Sequence, residues 1–256
     1  MSKNRFLRRA GASEIVQKLT AKAVHERKLI SEGDRILIAA SGGKDSSVMA
    51  WALSNIRQAL KVEYSLAALH ISSDFCQCCK KSVLAARLEE WGISYTDLSV
   101  PIIGRLKEGR KMNCYWCSTQ RRTELIKYAL ENGFNKIALG HHLDDIIETF
   151  FMNMMNKGSL SAMPVYLAYR KYPLCIIRPL AYLEERQIIN CATEQNILKA
   201  ACTCPYGVNS SRRDIRDRIT AFTGNSGAVK RRILAALSSG AEDMLVDDTG
   251  GENETG

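Results

Sequence analysis

The segment Ser41-Gly42-Gly43-Lys44-Asp45-Ser46 combines residue types that can bind phosphate. It follows a run of small and apolar residues, Ile36 to Ala40, and precedes a helix-compatible run, Ser47 to Leu53. This order predicts a strand, a tight glycine turn and a helix. The two glycines allow the backbone to turn sharply and to approach a ligand closely. The first N–H groups of the helix attract an anion, and Lys44 adds a positive charge. The segment is therefore predicted to bind phosphate.

The spacing of this hexapeptide separates it from two common phosphate-binding motifs, the Walker A loop and G-x-G-x-x-G. An ordinary glycine turn would explain the two glycines but not the serines, the lysine and the aspartate around them. The hexapeptide resembles the SGG-x-DS motif of the pyrophosphate-loop (PP-loop) ATPases. In those enzymes the loop holds ATP, and AMP is attached to an oxygen or carboxylate of the substrate.

A second polar segment, Gly140-His141-His142-Leu143-Asp144-Asp145, follows the predicted strand Lys136–Leu139. Because the carboxyl ends of parallel strands meet at one edge of a sheet, Gly140 and His141 are expected to reach the same ATP site. Asp144 and Asp145 are candidate Mg²⁺ ligands, since Mg²⁺ prefers carboxylate and phosphate oxygens. Taken alone, Asp144 also fits a helix N-cap, and the histidines fit ordinary hydrogen bonding.

Cysteine is frequent and clustered, with nine residues in the chain. The odd number and the absence of a signal peptide argue against a disulfide scaffold. Cys114-Tyr115-Trp116-Cys117 by itself fits a redox pair, half a zinc site or half an iron–sulfur site. Because Cys202-Thr203-Cys204 has a different spacing, a zinc site with four cysteines is disfavoured. Three thiolates around a cluster would leave one iron open to hold a sulfur.

The overall composition suits one globular α/β domain with small additions, since the 256 residues are 46% hydrophobic and 25% charged. The net charge is +9, but residues 239–256 hold six acids and no Lys or Arg, so the remainder carries +15. Such a basic body suits a polyanionic partner such as nucleic acid, although charge alone fits a basic enzyme equally well. No apolar run approaches the roughly 20 residues that a membrane span needs. No signal sequence is found at the N-terminus, and a cytoplasmic location is expected.

Strands that alternate with helices predict an α/β fold, a mostly parallel sheet with helices on both faces. The predicted strands are Ile36–Ala40, Tyr64–Ser72, Ser94–Leu98, Lys136–Leu139 and Cys175–Leu180. The predicted helices lie at 12–30, 47–53, 81–91, 117–132, 145–156, 184–195, 210–222 and 228–238. The expected organisation is a basic N-terminal helix (1–30), an ATP-binding domain (31–200), a segment with a cysteine ligand and basic helices (201–238), and a disordered acidic tail (239–256).

Together the motifs resemble those of the tRNA 2-thiocytidine biosynthesis family within the PP-loop ATPases, in the same order over roughly residues 10 to 222. They are the Ser41–Ser46 segment, Cys114-x-x-Cys117-x-x-x-Arg121-Arg122, Gly140-His141-His142-x-Asp144-Asp145-x-x-x-Thr149, Asn153-Met154, Met163-Pro164, Arg178-Pro179-Leu180-Ala181-Tyr182, and Cys204 with Asn209 and Arg212. The resemblance implies the adenine nucleotide alpha hydrolase-like fold. It also implies ATP, Mg²⁺, a 4Fe–4S cluster held by three cysteines, and a tRNA cytidine thiolated at its 2-position.

By motif, the cluster ligands would be Cys114, Cys117 and Cys204. The family's third ligand usually lies in a C-x-x-C; here Ala201 replaces the first cysteine and Cys202 lies one place later. Cys204 is preferred because Asn209 and Arg212 keep their offsets from it, and Cys202 stays an alternative.

A further cysteine group, Cys76-Gln77-Cys78-Cys79, does not match the family pattern. It fits a persulfide carrier, a metal ligand set, or a cysteine-rich loop without a role.

The implied chemistry attaches AMP to the 2-oxygen of the cytidine, so that sulfur can replace it. Lys44, Asp45 and the three cysteines are the residues expected to carry it. Phosphate contacts with tRNA, or simple solvation, are expected of five arginines: Arg121, Arg122, Arg212, Arg213 and Arg216. A protein such as a cysteine desulfurase is the expected sulfur donor, and a homodimer stays open.

Other activities also fit parts of the pattern. Within the superfamily, these are a 2-thiouridine enzyme, lysidine synthetase, or a ligase acting on a small molecule. A non-catalytic zinc or redox RNA-binding module is the alternative from another class.

Overall fold

A six-stranded sheet organises the part of the chain that the computed structural model describes, which is residues 10–75, 81–197 and 210–239. The strands are β1 (Asp34–Ala39), β2 (Tyr64–Ser73), β3 (Ser94–Val100), β4 (Lys136–Ala138), β5 (Tyr166–Ala168) and β6 (Cys175–Ile177). The helices are α1 (Ala12–Glu26), α2 (Lys44–Asn55), α3 (Arg57–Leu60), α4 (Lys81–Glu90), α5 (Cys114–Glu131), α6 (Leu143–Lys157), α7 (Glu185–Glu194), α8 (Ser210–Thr223) and α9 (Gly227–Ser239).

The spatial order of the strands is β3-β2-β1-β4-β6-β5. All neighbours pair in parallel except β5, which runs antiparallel to β6. The chain builds outward from β1 to β3 and then returns, so that β4 pairs with the other side of β1. The topological switch point, where ligands bind in open α/β sheets, therefore lies between β1 and β4. The loops that follow these two strands lie side by side.

Both faces of the sheet are covered at β1. Ile36, Leu37 and Ile38 are consecutive, and each is 0% exposed. Because successive strand residues point to opposite faces, full burial of all three requires packing on both sides. On the Leu37 side, the core includes Ile137 of β4 and Ala129 of α5. The predicted fold class, a mostly parallel sheet with helices on both faces, is confirmed.

Several predicted boundaries differ from the structure. Helix α1 ends at Glu26 rather than continuing to residue 30, and the chain turns at Lys28 with a positive φ of 49°. Helix α5 begins at Cys114 rather than at Cys117. Strand β5 was not predicted, because it has only three residues, all exposed, and shows no alternation of apolar and polar residues.

The described residues form two compact units. The first contains residues 10–142 and 164–197 with the whole sheet, and the second contains residues 143–163 and 210–239. Within the second unit, α8 and α9 both pack against α6. An edge contact between the rings of Phe151 and Phe222 joins α6 to α8, with centroids 5.8 Å apart. The predicted domain boundaries stay a prediction.

Some expectations concern residues outside the described part of the chain. These are the acidic tail from residue 240 onward, the group Cys76, Cys78 and Cys79, and both candidates for the third cluster ligand, Cys202 and Cys204. Among the helices that are described, none combines the length and the apolar character required to cross a membrane.

A buried ion pair joins the first residues of β1 and β4. Lys136 Nζ lies 2.7 Å from Asp34 Oδ2 and also donates to the carbonyl oxygen of Leu29. Both side chains are less than a tenth exposed. We expect Lys136→Met to lower the free energy of unfolding by about 3–5 kcal/mol, because it leaves a buried carboxylate without its partner.

Urea denaturation measures this loss. The matched control is Lys127→Met, which removes an exposed pair with Glu131 at 4.0 Å and should cost less than about 1 kcal/mol. Equal losses in the two variants would contradict a special role for the buried pair.

Candidate active site

The Ser41–Ser46 loop follows β1 at the switch point and leads directly into α2. Gly42 has φ +77°, a conformation that glycine adopts without strain. Gly43 caps α2 without a side-chain hydrogen bond, so no capping side chain occupies the first N–H groups of the helix. The Ser41 and Ser46 hydroxyl oxygens lie 2.9 Å apart, and Ser46 donates to the Gly43 carbonyl. The predicted strand, turn and helix are present, and their geometry suits an anion.

Gly140 lets the loop after β4 approach the Ser41–Ser46 loop. A Cβ atom at Gly140 would lie 3.0 Å from Ser46 N and 3.1 Å from both Asp45 C and Ser46 Cα. These are backbone atoms at the start of α2, which cannot move aside as the end of a side chain can. Glycine therefore permits the close approach of the loops that follow β1 and β4 without displacing the backbone.

Lys44 is held by two carboxylates. Its Nζ atom lies 2.9 Å from Glu185 Oε1 and 3.1 Å from Asp45 Oδ1. Partial burial disfavours the charged ammonium, but hydrogen bonds and attraction from Glu185 and Asp45 outweigh this effect and raise the pKa of Lys44 above its ordinary value. Lys44 is consequently protonated at neutral pH.

His141, in the loop after β4, contacts a buried arginine. Arg178 Nε donates to His141 Nδ1 at 3.4 Å, and Arg178 Nη1 donates to the Pro164 carbonyl. Because Nδ1 accepts this bond, the proton of the neutral imidazole lies on Nε2. His141 thus has an N–H donor on the ring nitrogen that Arg178 does not contact.

Cys114 and Cys117 lie in the first turn of α5, where residues three apart share a helix face. Cys114 is exposed and Cys117 half-buried. The helix starts at Cys114 because the Asn113 side chain caps it, accepting from Trp116 N at 2.8 Å. The Trp116 indole donates to Ile102 O, two residues beyond the end of β3. The cysteine pair therefore lies at the carboxyl edge of the sheet, the edge that also carries the Ser41–Ser46 loop.

Asp144 and Asp145 belong to the second unit and lie within the first turn of α6. Asp144 is thus inside the helix, not at its N-cap. Asp144 Oδ1 accepts from Lys230 Nζ at 2.5 Å, and Lys230 also donates to Asn225 Oδ1 at 3.0 Å. In this structure Lys230 neutralises Asp144.

The five arginines predicted to contact tRNA have different surroundings. Arg122 is exposed, whereas Arg121 is half-buried and its Nε has no hydrogen-bond partner within the described residues. Arg216 Nε donates to the buried Glu148 at 2.7 Å. The side chains of Arg212 and Arg213 lie outside the described part. An RNA contact by any of the five stays a prediction.

Comparisons with known proteins identify the family. Residues 12–221 match the PP-loop domain family. A tRNA-cytidine(32) 2-sulfurtransferase of Geobacter metallireducens is 36% identical over 231 residues, which are 88% of this chain and 90% of the relative. The enzyme of the same name from Geobacter sulfurreducens is 34% identical over 237 residues, 91% of this chain and 92% of the relative. The chain belongs to the tRNA 2-thiocytidine family of PP-loop ATPases. The resemblance predicted from the motifs is confirmed.

One solved structure has a fold similar to that of this chain. It is the U34-tRNA thiolase NcsA from Methanococcus maripaludis with its 4Fe–4S cluster, with a TM-score of 0.75 and 24% identity. The match covers 93% of this chain and 82% of that chain. At this level of identity the similarity concerns the fold.

Two site residues of this PP-loop ATPase were not predicted as such from the sequence. Arg178 was noted only within a family motif, and Glu185 was assigned only to a helix. One signal for Arg178 was available, because it directly follows β6, which pairs with β4 near the switch point. Glu185 carries no comparable signal, since its role depends on where α7 packs.

Proposed function

We propose that this chain is an ATP-dependent tRNA sulfurtransferase that replaces the 2-oxygen of a cytidine by sulfur. The observation that carries the proposal is the close approach of Gly140 to the Ser41–Ser46 loop at the switch point, in a chain of this family. The predicted enzyme class, a transferase acting on tRNA, agrees with the names of the curated relatives.

ATP fits the Ser41–Ser46 loop. The start of α2 has no side-chain cap, the two serine hydroxyls line the turn, and Lys44 supplies a charged donor. We assign Ser41, Gly42, Gly43, Lys44, Asp45 and Ser46 to the phosphates, with Gly140 and His141 completing the ATP site. His141 is assigned by its place in the loop that follows β4, beside Gly140.

We assign Asp144 and Asp145 as the candidate Mg²⁺ ligands. No group of three potential metal-ligating side chains occurs among the described residues. Mg²⁺ is usually bound by one or two carboxylates and completes its shell with water and phosphate. When bound, the ion would supply charge neutralisation at the phosphates.

Cys114 and Cys117 fit two of the three ligands of a 4Fe–4S cluster, since their thiols share the first turn of α5. We assign the third position to Cys204, with Cys202 as the alternative. A cluster with three cysteine ligands would supply an open iron site at which sulfur can be held.

In the proposed reaction, the 2-oxygen of the cytidine attacks the α-phosphorus of ATP, and pyrophosphate leaves. Lys44 and the N–H groups of α2 stabilise the negative charge on the departing pyrophosphate. Hydrosulfide then bonds to C2, the C2–O bond breaks with release of AMP, and a proton leaves the sulfur. Sulfur that a donor protein delivers as a persulfide is first reduced to this level by two electrons from a thiol reductant. The base must leave the stacked anticodon loop to be reached, as in most sequence-specific RNA recognition.

The remaining partners extend this proposal. tRNA is the substrate, and arginines 121, 122, 212, 213 and 216 are the candidate phosphate contacts. A protein such as a cysteine desulfurase supplies the sulfur, the reaction takes place in the cytoplasm, and a homodimer is the proposed assembly to be tested.

Mass spectrometry of tRNA nucleosides from a strain lacking this protein tests the proposed function. We expect 2-thiocytidine to disappear and to return with the wild-type gene, but not with a Lys44→Ala gene. Loss of 2-thiouridine or of lysidine instead would assign another reaction of the superfamily. An unchanged nucleoside profile, with one zinc per purified chain and no ATP turnover, would favour a binding module and reject the proposal.

A further inference from the structure

Lys44 is anchored from outside its own loop, by a residue of α7. We propose that Glu185 is a positioning residue for the reaction with ATP, which holds the Lys44 ammonium in one orientation at the phosphate-binding turn. This inference rests on the proposed ATP-dependent function and adds a residue that no motif of the loop contains.

The contacts leave Lys44 able to act on a ligand. An ammonium group has three N–H donors. Its two carboxylate contacts, at 2.9 Å to Glu185 and 3.1 Å to Asp45, use two of them and leave one for a phosphate oxygen. The side chains of Lys44 and Glu185 are 21% and 31% exposed, so an incoming ligand can reach the pair.

Glu185 belongs to a helix that is itself packed in place. It lies in the first turn of α7, next to a capping box in which the Glu184 and Gln187 side chains each bond the other's backbone N–H. Helix α7 packs against α1 and against α2, the helix that Lys44 begins. A lysine side chain is a flexible four-carbon stem with a point charge at its end. The contact with Glu185 therefore limits where the Lys44 ammonium can lie.

The expected effect is on the chemical step more than on ATP binding. Without Glu185, Lys44 keeps its charge and its contact with Asp45, so its attraction for the phosphates of bound ATP is largely retained. Charge builds up on the pyrophosphate as it leaves, and a preoriented donor stabilises that charge without having to reorganise. Loss of Glu185 should therefore lower kcat and leave the affinity for ATP nearly unchanged.

The test compares Glu185→Ala and Glu185→Gln with Glu194→Ala in the full-length protein. Glu194 lies at the other end of α7, where it accepts from the Ala12 and Ser13 N–H groups at the start of α1. It is a matched control for the loss of a carboxylate from this helix. The measurements are tRNA-dependent pyrophosphate release, binding of a non-hydrolysable ATP analogue by calorimetry, and the Tm.

We expect Glu185→Ala to lower kcat at least about tenfold, with analogue affinity within about threefold of wild type. Glu185→Gln keeps the size of the side chain but not its charge, so its kcat should lie between those of wild type and Glu185→Ala. Glu194→Ala should change only the Tm. An unchanged kcat in Glu185→Ala, a stronger or much weaker analogue affinity, or an equal loss of kcat in Glu194→Ala would overturn the assignment. A wild-type protein that neither binds the analogue nor releases pyrophosphate would reject the proposed function, and this inference with it.

Discussion

Cys114→Ala is expected to abolish tRNA thiolation, with a loss of at least about 100-fold, while ATP binding survives. Cys114 is exposed at the start of α5 and shares a helix face with Cys117. In the proposed site, Cys114→Ala removes one of the three thiolates that hold the cluster. The ATP site lies on a different loop, so its affinity should not change.

Anaerobically purified protein provides the measurements for this prediction. Iron and acid-labile sulfide report the cluster, nucleoside mass spectrometry reports thiolation, and calorimetry with an ATP analogue reports binding. The control is Cys175→Ala, because Cys175 lies at the start of β6, where its sulfur is 2.9 Å from the Tyr166 hydroxyl. The control should retain cluster and activity. Normal thiolation by Cys114→Ala would exclude a cluster at this position.

Gly140→Ala is expected to weaken ATP binding by about 10- to 100-fold. The added Cβ would lie 3.0–3.1 Å from backbone atoms of Asp45 and Ser46, which is tighter than nine in ten Cβ contacts in proteins, so this backbone would have to shift by a few tenths of an ångström. Overpacking of this kind costs about 1–3 kcal/mol, and each 1.4 kcal/mol is about tenfold in affinity. We expect the strain to displace the Ser41–Ser46 loop, because the contact is with the loop itself.

Calorimetry with the ATP analogue and the Tm measure this effect. Gly104→Ala is the control, since its Cβ would meet Pro101 Cβ at 3.4 Å, an ordinary contact, and its φ is not positive. That variant should bind the analogue as the wild type does. Analogue affinity in Gly140→Ala within twofold of wild type would show that the loop tolerates the methyl group, and that the close approach does not shape the ATP site.

The phosphate-binding element could be predicted from local sequence because all of its determinants are local. An apolar strand, two glycines, and a helix that starts at Lys44 follow one another within 20 residues. An unbroken run of small and apolar residues predicted a strand before the turn, and Ile36, Leu37 and Ile38 of β1 are fully buried. The resemblance to the family also rested on local sequence, since its motifs are short and their order can be read directly from the chain.

Helix boundaries were less predictable because caps depend on single side chains. The start of α5 illustrates this, since Asn113 accepts from Trp116 N and brings Cys114 into the helix. The sequence analysis predicted this helix only from residue 117 onward. The outcome matters for function, because it places both cysteines on one helical turn.

Partners that are distant in sequence could not be predicted at all. Glu185 lies 141 residues from Lys44, and Lys230 lies 86 residues from Asp144. The residues around a glutamate or lysine in the sequence do not indicate which charged group it will contact, because the packing of whole helices determines that contact.

By itself, the sequence determined the family, the order of strands and helices, and the residues of the phosphate-binding turn, because these depend on short-range patterns of residue type. Only the tertiary structure decided that β4 returns to pair with β1, that Gly140 touches the Ser41–Ser46 loop, and that Glu185 holds Lys44. The physical reason is that strand pairing and helix packing join segments far apart in the chain, and the atoms that meet there are set by the geometry of the sheet.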